Sequence, residues 1–280
     1  MNPIDQRLIT LRRGVIACRE TPGRVGRLIH LADADDVLIG GDLHGQLDNL
    51  RRLVRLADLV THPRRHLVIQ EIVHGPFRHP NGGGDRSYQV VEAACALMVQ
   101  FPGRVHYLMG NHELAQLTGR RVGKMDEDDL NELFKTGVRT TYGTRADEVY
   151  GVYCKLFESA PLAIRTAGRL LIAHSVPARE FDANALTLEP TPLEQLAPGG
   201  SVYALVWGRD TRPETLETFL RTMDAEYLVS GHIPNDAGYE RPSVRHLILD
   251  CKGHPAGAAL LPANRPITPE EFANCHQLLS

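Results

Sequence analysis

A short segment at residues 37–46, read as VLIGGDLHGQ, places the tightest constraint on how this chain can fold. Its three apolar residues run into two glycines, a pattern that predicts a buried strand ending in a tight turn. Asp42 and His44 then lie at the carboxyl end of that strand, where open α/β sheets bind their ligands. A carboxylate oxygen and an imidazole nitrogen two residues apart on a rigid turn can form part of a transition-metal site.

Three later apolar runs end in side chains of the same chemical kind. The run at 105–109 is followed by GNHE at 110–113, the run at 170–173 by His174, and the run at 227–230 by Gly231-His232. A single histidine of this kind is more often an ordinary core or surface residue than a metal ligand. Four strand ends that all carry metal-binding side chains predict instead that these residues converge on one site.

The order of the four motifs, GDLHG, GNHE, AHS and SGH, resembles that of the calcineurin-like metallophosphoesterases and, within them, of the phosphoprotein phosphatase branch. The resemblance runs from about residue 37 to residue 251. Pro234 stands where many nucleases and nucleotidases of the wider superfamily carry a second histidine, which favours the phosphatase branch. The resemblance implies an α/β fold, a four-layer αββα sandwich with two mixed β-sheets, formed by residues 1–280 as a single domain.

The resemblance also implies two divalent transition-metal ions and assigns their ligands by position. The six implied ligands are Asp42, His44, Glu71, Asn111, His174 and His232. Glu71 would bridge the two ions. Asp42 and His44 would complete one site, and Asn111, His174 and His232 would complete the other. Mixed nitrogen and oxygen ligands suit manganese, iron, zinc or cobalt better than calcium, and manganese is the first expectation.

In the family, a hydroxide that bridges the two ions attacks phosphorus directly. His112 is then expected to protonate the leaving alkoxide. Asp85 is the first choice for orienting the His112 imidazole, with His74 as the other possibility. Arg209 is the first choice for binding phosphate, because a planar guanidinium matches two phosphate oxygens, and Arg86 is the second. The alternative for Arg209 is an ordinary surface pair with the neighbouring aspartate.

The chain departs from the family pattern at the GDxxDRG motif, whose Asp residues bridge the metals and orient the catalytic histidine and whose Arg binds phosphate. Here the chain reads QEIVHGPFRHPNGGGDRS over residues 70–87. Glu71 stands at the place of the bridging Asp, and an Asp-Arg pair returns only at Asp85 and Arg86. We interpret this as a motif split by an insertion, with a longer bridging side chain. The alternative is that Glu71 caps a strand and the later pair lies on a surface loop.

By this resemblance the chain is expected to be a metal-dependent phosphatase that hydrolyses phosphomonoesters, with phosphoserine and phosphothreonine in proteins as the substrate class. Two alternatives stay open. One is a hydrolase of nucleotide polyphosphates, similar to the diadenosine tetraphosphatases. The other is a degenerate relative that binds metal or a phosphorylated partner without turnover. The expected partner is a phosphorylated protein or a small phosphoester.

Composition argues against several other classes. The formal net charge is -3, which provides no basic field that would attract nucleic acid. No apolar stretch reaches transmembrane length, and the N-terminal residues lack the apolar core of a secretory signal, so no membrane partner is expected. The five cysteines are scattered without CxxC spacing, which indicates reduced thiols in a cytoplasmic protein. The sequence makes no prediction of oligomeric state.

Periodicity and turn residues predict the remaining elements. They are one or two short elements in 1–36, an amphipathic helix in 47–60, a loop in 178–200, paired strands at 246–250 and 256–261, and a C-terminal helix over 267–279. Residues 119–158 are expected to form a helical insertion, a possible cap over the active site. The acidic run at 126–129 is interpreted as the first turn of a helix rather than a metal site.

Overall fold

The structure is a computed structural model that describes residues 2–123, 128–178 and 180–279. The helices in these residues are α1 (Pro3–Arg19), α2 (Leu47–Ala57), α3 (Tyr88–Gln100), α4 (Asn111–Thr118), α5 (Leu130–Tyr142), α6 (Ala146–Ser159), α7 (Leu193–Leu196), α8 (Ser201–Trp207), α9 (Pro213–Thr222) and α10 (Pro269–Asn274). The strands are β1 (Arg24–Val25), β2 (Leu28–Leu31), β3 (Asp36–Asp42), β4 (Arg65–Gln70), β5 (Val105–Leu108), β6 (Ala163–Thr166), β7 (Leu170–Ala173), β8 (Tyr227–Ser230), β9 (Tyr239–Ser243), β10 (His246–Leu249), β11 (Gly257–Pro262) and β12 (His276–Leu278). Short 3₁₀ helices cover Gly143–Arg145 and Ala183–Leu186.

The described strands form two mixed β-sheets. The five-stranded sheet has the order β12-β11-β3-β4-β5, in which β3, β4 and β5 are parallel. The seven-stranded sheet has the order β1-β2-β6-β7-β8-β10-β9, in which β7, β8 and β10 are parallel. Because parallel neighbours end at the same edge, each sheet presents several carboxyl ends side by side.

The two sheets pack face to face, and helices cover their outer faces. Along β3, Val37 and Ile39 belong to the apolar core between the sheets, whereas Leu38 belongs to the core under the helices. In β7 of the seven-stranded sheet, Ile172 belongs to the core between the sheets and Leu171 to the core under the helices. The arrangement is helix, sheet, sheet, helix, and it confirms the predicted four-layer sandwich.

The prediction for the N-terminal segment was wrong, because residues 3–19 form one helix of 17 residues. Asn2 caps this helix, its side chain accepting a hydrogen bond from the backbone N–H of Ile4 at 3.0 Å. Leu8, Leu11 and Val15 recur at helical spacing and are buried, and the helix packs against α3 and α6. Arginines interrupt this apolar stripe, so packing rather than local pattern stabilises the helix.

The predictions for the C-terminal segment were also partly wrong. The helix α10 begins as expected, with the Thr268 hydroxyl accepting from Glu271 N at 3.2 Å, but it ends after six residues. The chain then forms β12, which pairs antiparallel with β11. The two strands predicted to pair with each other are β10 and β11, and they lie in different sheets. β10 pairs with β8 and β9 in the seven-stranded sheet, whereas β11 pairs with β3 in the five-stranded sheet. Hydrogen bonding to a sheet edge decides this region, and a local helical pattern contains no information about that partner.

Within the segment 119–158, helices α5 and α6 cover Leu130–Tyr142 and Ala146–Ser159, and they pack on each other and on α1, α3 and α4. Asp129 caps α5 by accepting a hydrogen bond from Asn131 N at 3.1 Å, whereas residues 126 and 127 of the acidic run lie outside the described residues. The role of this segment as a cap, and the single-domain boundaries, stay predictions.

The predicted loop at 178–200 contains two short helical turns. Across the described ranges, no helix combines the length and apolar character needed to cross a bilayer.

Gly137 marks a close contact between α5 and the loop that precedes α3. A Cβ atom at this position would overlap the backbone carbonyl oxygen of Asp85. Gly151, a glycine in the middle of α6, offers a matched comparison, because a Cβ atom there would meet nothing within 4 Å.

Replacement of Gly137 by Ala is therefore expected to lower the free energy of unfolding by about 1–3 kcal/mol through overpacking. Gly151→Ala should instead raise it by about 0.5–1 kcal/mol, because alanine favours the helix over glycine. Urea denaturation followed by circular dichroism measures both. Similar changes in the two variants would contradict the packing described for α5.

Candidate metal centre

The predicted metal ligands lie at neighbouring strand ends. Asp42 is the last residue of β3, Glu71 follows β4, and Asn111 begins the helix after β5. His174 follows β7 directly, and His232 comes two residues after β8. The first three residues belong to the five-stranded sheet and the last two to the seven-stranded sheet. The stacked sheets bring both sets of strand ends to one place.

Glu71 and His174 are at the centre of the cluster. His174 Nε2 lies 3.1 Å from Asn111 Oδ1 and 3.6 Å from Glu71 Oε1. The other carboxylate oxygen of Glu71 lies 3.2 Å from His44 Nε2. His174 Nδ1 lies 3.6 Å from Asp42 Oδ1. A single carboxylate therefore has imidazoles on both sides, as a bridging ligand requires.

Two groups of donor atoms have the compactness of a metal site. Glu71, His174 and His232 offer ligand atoms that all lie within 4.8 Å of one another, and so do His44, Glu71 and His112. Glu71 is common to both groups. His112, which was predicted not to bind metal, takes the place of Asp42 in the group with His44 and Glu71. Asp42 Oδ1 and Asn111 Oδ1 lie instead 3.6 Å and 3.1 Å from the ring nitrogens of His174.

Unpaired buried atoms show that the donor set fits divalent cations. In the described part of the chain, Asp42 Oδ1 and His232 Nε2 are buried and have no hydrogen-bond partner. A buried polar atom without a partner is costly, so such atoms call for a ligand. The mixture of imidazole nitrogens with carboxylate and amide oxygens is typical of transition-metal sites.

The electrostatics of the cluster also fit a cation. Burial, followed by the charge of Glu71, raises the pKa of Asp42 well above its usual value. Burial opposes ionisation of Glu71 too, but the imidazoles of His174, His112 and His44 outweigh it and hold the pKa of Glu71 well below the usual value. The strain of placing two buried carboxyl groups together would be relieved by a bound divalent ion.

The histidines of the cluster present nitrogens suited to metal binding. Burial lowers the pKa of His232 to about 3 and also lowers the pKa of His174, which leaves both rings neutral. Burial also lowers the pKa of His44, but the charge and hydrogen bond of Glu71, together with the charge of Asp42, outweigh it and raise this pKa to about 9. His44 Nδ1 lies 3.1 Å from the carbonyl oxygen of Val73, so its Nε2 is the atom turned toward Glu71.

Three residues outside the predicted set position Glu71 and His174. Glu113 Oε1 accepts hydrogen bonds from Ile72 N at 2.8 Å and Val73 N at 3.2 Å, which holds the backbone that follows Glu71. Gln70 Oε1 lies 3.4 Å from His174 Nδ1, and Gly110 leaves room for Glu71, since a Cβ there would lie 2.5 Å from Glu71 Oε1. The GNHE motif contained the signal for Glu113 and Gly110, whereas Gln70 had none.

The backbone adopts an uncommon conformation at several of these residues. His44, Glu71, His74 and His232 have φ values of 40°, 40°, 62° and 68°. Residues other than glycine rarely adopt positive φ, and such strain is concentrated at functional sites. His74 shares this feature with three predicted metal ligands, and also with residues outside the cluster such as Asp58 and Asp224.

His74, rather than Asp85, contacts the His112 imidazole. The two Nδ1 atoms of His74 and His112 lie 2.8 Å apart. Asp85 is directed elsewhere, because its carboxylate accepts hydrogen bonds from Ser87 N at 2.6 Å and Gly75 N at 3.1 Å. The expectation that Asp85 orients His112 is thus corrected. His74 follows Glu71 at the spacing that separates the two Asp residues of GDxxDRG, so that position is substituted in place rather than displaced by an insertion.

The two predicted phosphate-binding arginines have different surroundings. Burial is the main cause that lowers the pKa values of three histidines of the cluster, His112, His174 and His232, and it takes that of His112 to about 4. The positive charge of Arg209 lowers all three pKa values further. The charge of Arg209 is therefore close enough to the cluster to act on it. Arg86 is exposed and its charge acts instead on His79, away from the metal ligands.

An aromatic wall that the sequence analysis did not predict lies beside His232. The rings of Trp207 and His232 are 6.5 Å apart and nearly perpendicular, and Tyr203 stacks on Trp207. The guanidinium of Arg120 lies 5.1 Å from the Trp207 ring centre and 5.4 Å from that of Tyr203. Together with Arg209 these side chains form a polar and aromatic border to the site.

Comparison with known proteins agrees with this geometry. The family profile described as calcineurin-like phosphoesterase matches residues 36–236, which is most of the chain. The chain belongs to the calcineurin-like phosphoesterase family.

The human serine/threonine-protein phosphatase 5 is 22% identical over 250 residues, which cover 81% of this chain and 45% of the relative. The Arabidopsis thaliana serine/threonine-protein phosphatase 7 is 25% identical over 230 residues, covering 77% and 48%. The chain thus spans less than half the length of these relatives.

Solved structures confirm the fold. A Saccharomyces cerevisiae protein serine/threonine phosphatase with similarity to human phosphatase PP5 superimposes with a TM-score of 0.71 at 17% identity, covering 100% of this chain and 90% of that one. A cold-active protein-tyrosine phosphatase of a psychrophilic Shewanella species superimposes with a TM-score of 0.60 at 16% identity, covering 95% and 84%. The predicted family and the predicted fold are both confirmed.

Asp42→Ala and His232→Ala are each expected to lower the metal content from about two ions per chain to one or fewer. Each variant removes a buried donor atom that has no hydrogen-bond partner among the described residues. Elemental analysis after dialysis against manganese measures the content, and His62→Ala, an exposed histidine outside the cluster, serves as the control. Full metal occupancy in both ligand variants would exclude the proposed ligand set.

Proposed function

We propose that this protein is a metal-dependent phosphatase that hydrolyses phosphomonoesters, with phosphoserine and phosphothreonine in proteins as its substrates. The observation that carries the proposal is the convergence of two overlapping donor groups on the shared carboxylate of Glu71. The serine/threonine phosphatases among its relatives support the same substrate class. Because one structural neighbour is a tyrosine phosphatase, phosphotyrosine is the comparison substrate.

Two metal ions are proposed, with manganese first and iron, zinc or cobalt as the other choices. Asp42, His44 and Glu71 would hold one ion, and Glu71, Asn111, His174 and His232 the other. When bound, the ions would supply Lewis-acid chemistry and neutralise the charge that develops on the phosphoryl oxygens.

Arg209 is proposed to bind the phosphoryl group of the substrate. It is exposed, has no ion-pair partner among the described residues, and its charge reaches three histidines of the cluster. Its planar guanidinium can donate two parallel hydrogen bonds to phosphate oxygens. It would thereby hold the phosphoryl group against the metal ligands while the leaving oxygen faces His112.

His112 is proposed to protonate the leaving oxygen, with His74 as its positioning residue. The contact between their Nδ1 atoms has room for one proton, so His74 selects the tautomer of His112. When His112 acts as an acid it has protons on both nitrogens, so its Nδ1 donates to His74 Nδ1 while its Nε2 donates to the leaving oxygen, and the ring that remains is neutral. Asp85 contributes indirectly, by holding the backbone at Gly75 next to His74.

The alternative of a non-catalytic relative is motivated by the altered GDxxDRG motif. Glu71 retains the carboxylate of that motif, and the other predicted ligands and His112 are all present, which favours the enzyme. A nucleotide polyphosphate hydrolase would share the metal centre, so substrate comparison separates the two. We also propose a cytoplasmic location, supported by the free cysteines 18, 95, 154, 251 and 275.

The proposed function is tested by hydrolysis of p-nitrophenyl phosphate with added manganese, in the wild type and in Glu71→Gln. The variant is expected to lose more than about 100-fold in activity. Mutation of a residue that only supports a metal ligand usually lowers activity by about 10- to 100-fold, and removal of a bridging ligand should lower it more. Glu71→Asp should not give a faster enzyme, since the space left by Gly110 is filled by the carboxylate of the longer side chain. Glu217→Gln, at an exposed position of α9, is the control.

Absence of turnover by the wild type with any of the four metals would reject the enzyme and favour a binding role. Retention of wild-type rate and metal content by Glu71→Gln would reject Glu71 as the bridge. Phosphoserine, phosphothreonine and phosphotyrosine peptides, and diadenosine tetraphosphate, then rank the substrate classes by kcat/KM.

The His112→Asn variant is expected to retain bound metal but to lose about 100-fold or more on phosphoserine peptides, whose alkoxide leaving group needs a proton. Its loss on p-nitrophenyl phosphate should be much smaller, because that leaving group departs as an anion. His74→Ala should shift the ratio of the two rates in the same direction by a smaller factor, with His62→Ala as the control. An equal loss on both substrates would remove the general-acid role of His112.

A further inference from the structure

A cleft of about 560 Å³ lies beside the turn that follows His44. On one side it is bordered by Gly45, the residue after His44, and by the first turn of α2. On the other side Phe77 and Arg86 project from the loop at residues 75–87. We call this the Arg86 cleft. The Gly45 border places it within one residue of a metal ligand.

Arg86 is the arginine of the cleft that has no partner. Arg51 pairs with Asp48 at 2.8 Å, and Arg7 pairs with Glu92 at 3.1 Å. In the part of the chain that the structure describes, the Arg86 guanidinium makes neither a hydrogen bond nor an ion pair. The cleft therefore contains one uncompensated positive charge, which favours an anionic ligand.

The backbone on both sides of Arg86 is held in place. Asp85 N donates to Leu133 O at 2.8 Å, and the Asp85 carboxylate accepts from Ser87 N at 2.6 Å. Arg86 N donates to Phe77 O at 3.0 Å. The guanidinium is therefore presented from a rigid backbone, which lowers the entropy cost of using it in binding.

Arg86 and Arg209 serve different parts of a ligand. Arg209 is the arginine whose charge reaches His112, His174 and His232, whereas the charge of Arg86 acts on His79. One arginine is thus available for the phosphoryl group at the metal centre. The other remains for a group further along the substrate. Phe77, which is 52% exposed, gives the cleft an apolar border along which a peptide could lie.

We propose that the Arg86 cleft binds a second anionic group of the substrate, a carboxylate or phosphate on a residue next to the phosphorylated one. The proposal rests on the proposed phosphatase function and adds a sequence preference to it. Acidic peptides are the substrate class that this cleft selects.

The test compares kcat/KM for phosphoserine peptides that differ only beside the phosphoserine. One peptide has glutamates on both sides, one has glutamines, and one has a second phosphoserine that is blocked from turnover as a phosphonate. The wild type should prefer the glutamate and phosphonate peptides by about three- to tenfold, in line with one partly exposed arginine contact. The preference should fall at high salt.

Replacement of Arg86 by Gln should remove the preference, and Arg86→Glu should reverse it toward a peptide with lysines at the same positions. Arg55→Gln, at an exposed position of α2 outside the cleft, is the matched control and should keep the preference. A preference for the phosphonate peptide alone would assign the cleft to phosphate, and equal preferences would assign it to anions in general.

A wild type that hydrolyses the glutamine, glutamate and phosphonate peptides equally would overturn the proposal while leaving the phosphatase function intact. So would a preference that persists in both Arg86 variants. Failure to hydrolyse p-nitrophenyl phosphate or any peptide would instead reject the proposed function.

Discussion

The carboxylate of Glu71 is the interaction on which the rest of the site depends. It lies between His44 and His174, and it belongs to both groups of metal-binding atoms. Its own placement relies on Glu113, which accepts hydrogen bonds from the next two backbone N–H groups, and on Gly110, which leaves space for the side chain. The GNHE motif thus contributes both to the ligand set and to the support of the bridge.

The departures from the family pattern in this chain compensate for one another locally. The glutamate in place of aspartate has space for its longer side chain, because Gly110 has no Cβ atom beside it. His74 in place of the second aspartate keeps a hydrogen-bonding partner behind His112. Asp85 has become a structural residue, because its carboxylate satisfies backbone donors at both ends of the loop. The altered motif therefore retains a coherent set of contacts.

The two-sheet architecture explains why ligands from distant parts of the chain meet. β3, β4 and β5 are parallel in one sheet, and β7 and β8 are parallel in the other, so their carboxyl ends share one edge of the sandwich. The apolar core between the sheets fixes their relative position. The site is thereby built on strand ends, which are rigid, while the loop at residues 75–87 carries the side chains proposed to set substrate preference.

The sequence by itself determined the strands that lead to Asp42, Asn111, His174 and His232. It could do so because an apolar run, a turn and a polar side chain after it are all local patterns. It also indicated the fold, through the order of those motifs. Tertiary structure alone decided which residue contacts His112, because the loop folds so that Asp85 meets its own backbone. It also decided α1 and β12, which form because α3, α6 and β11 offer surfaces to pack on or pair with. Such partners are distant in sequence, and a local pattern cannot specify them.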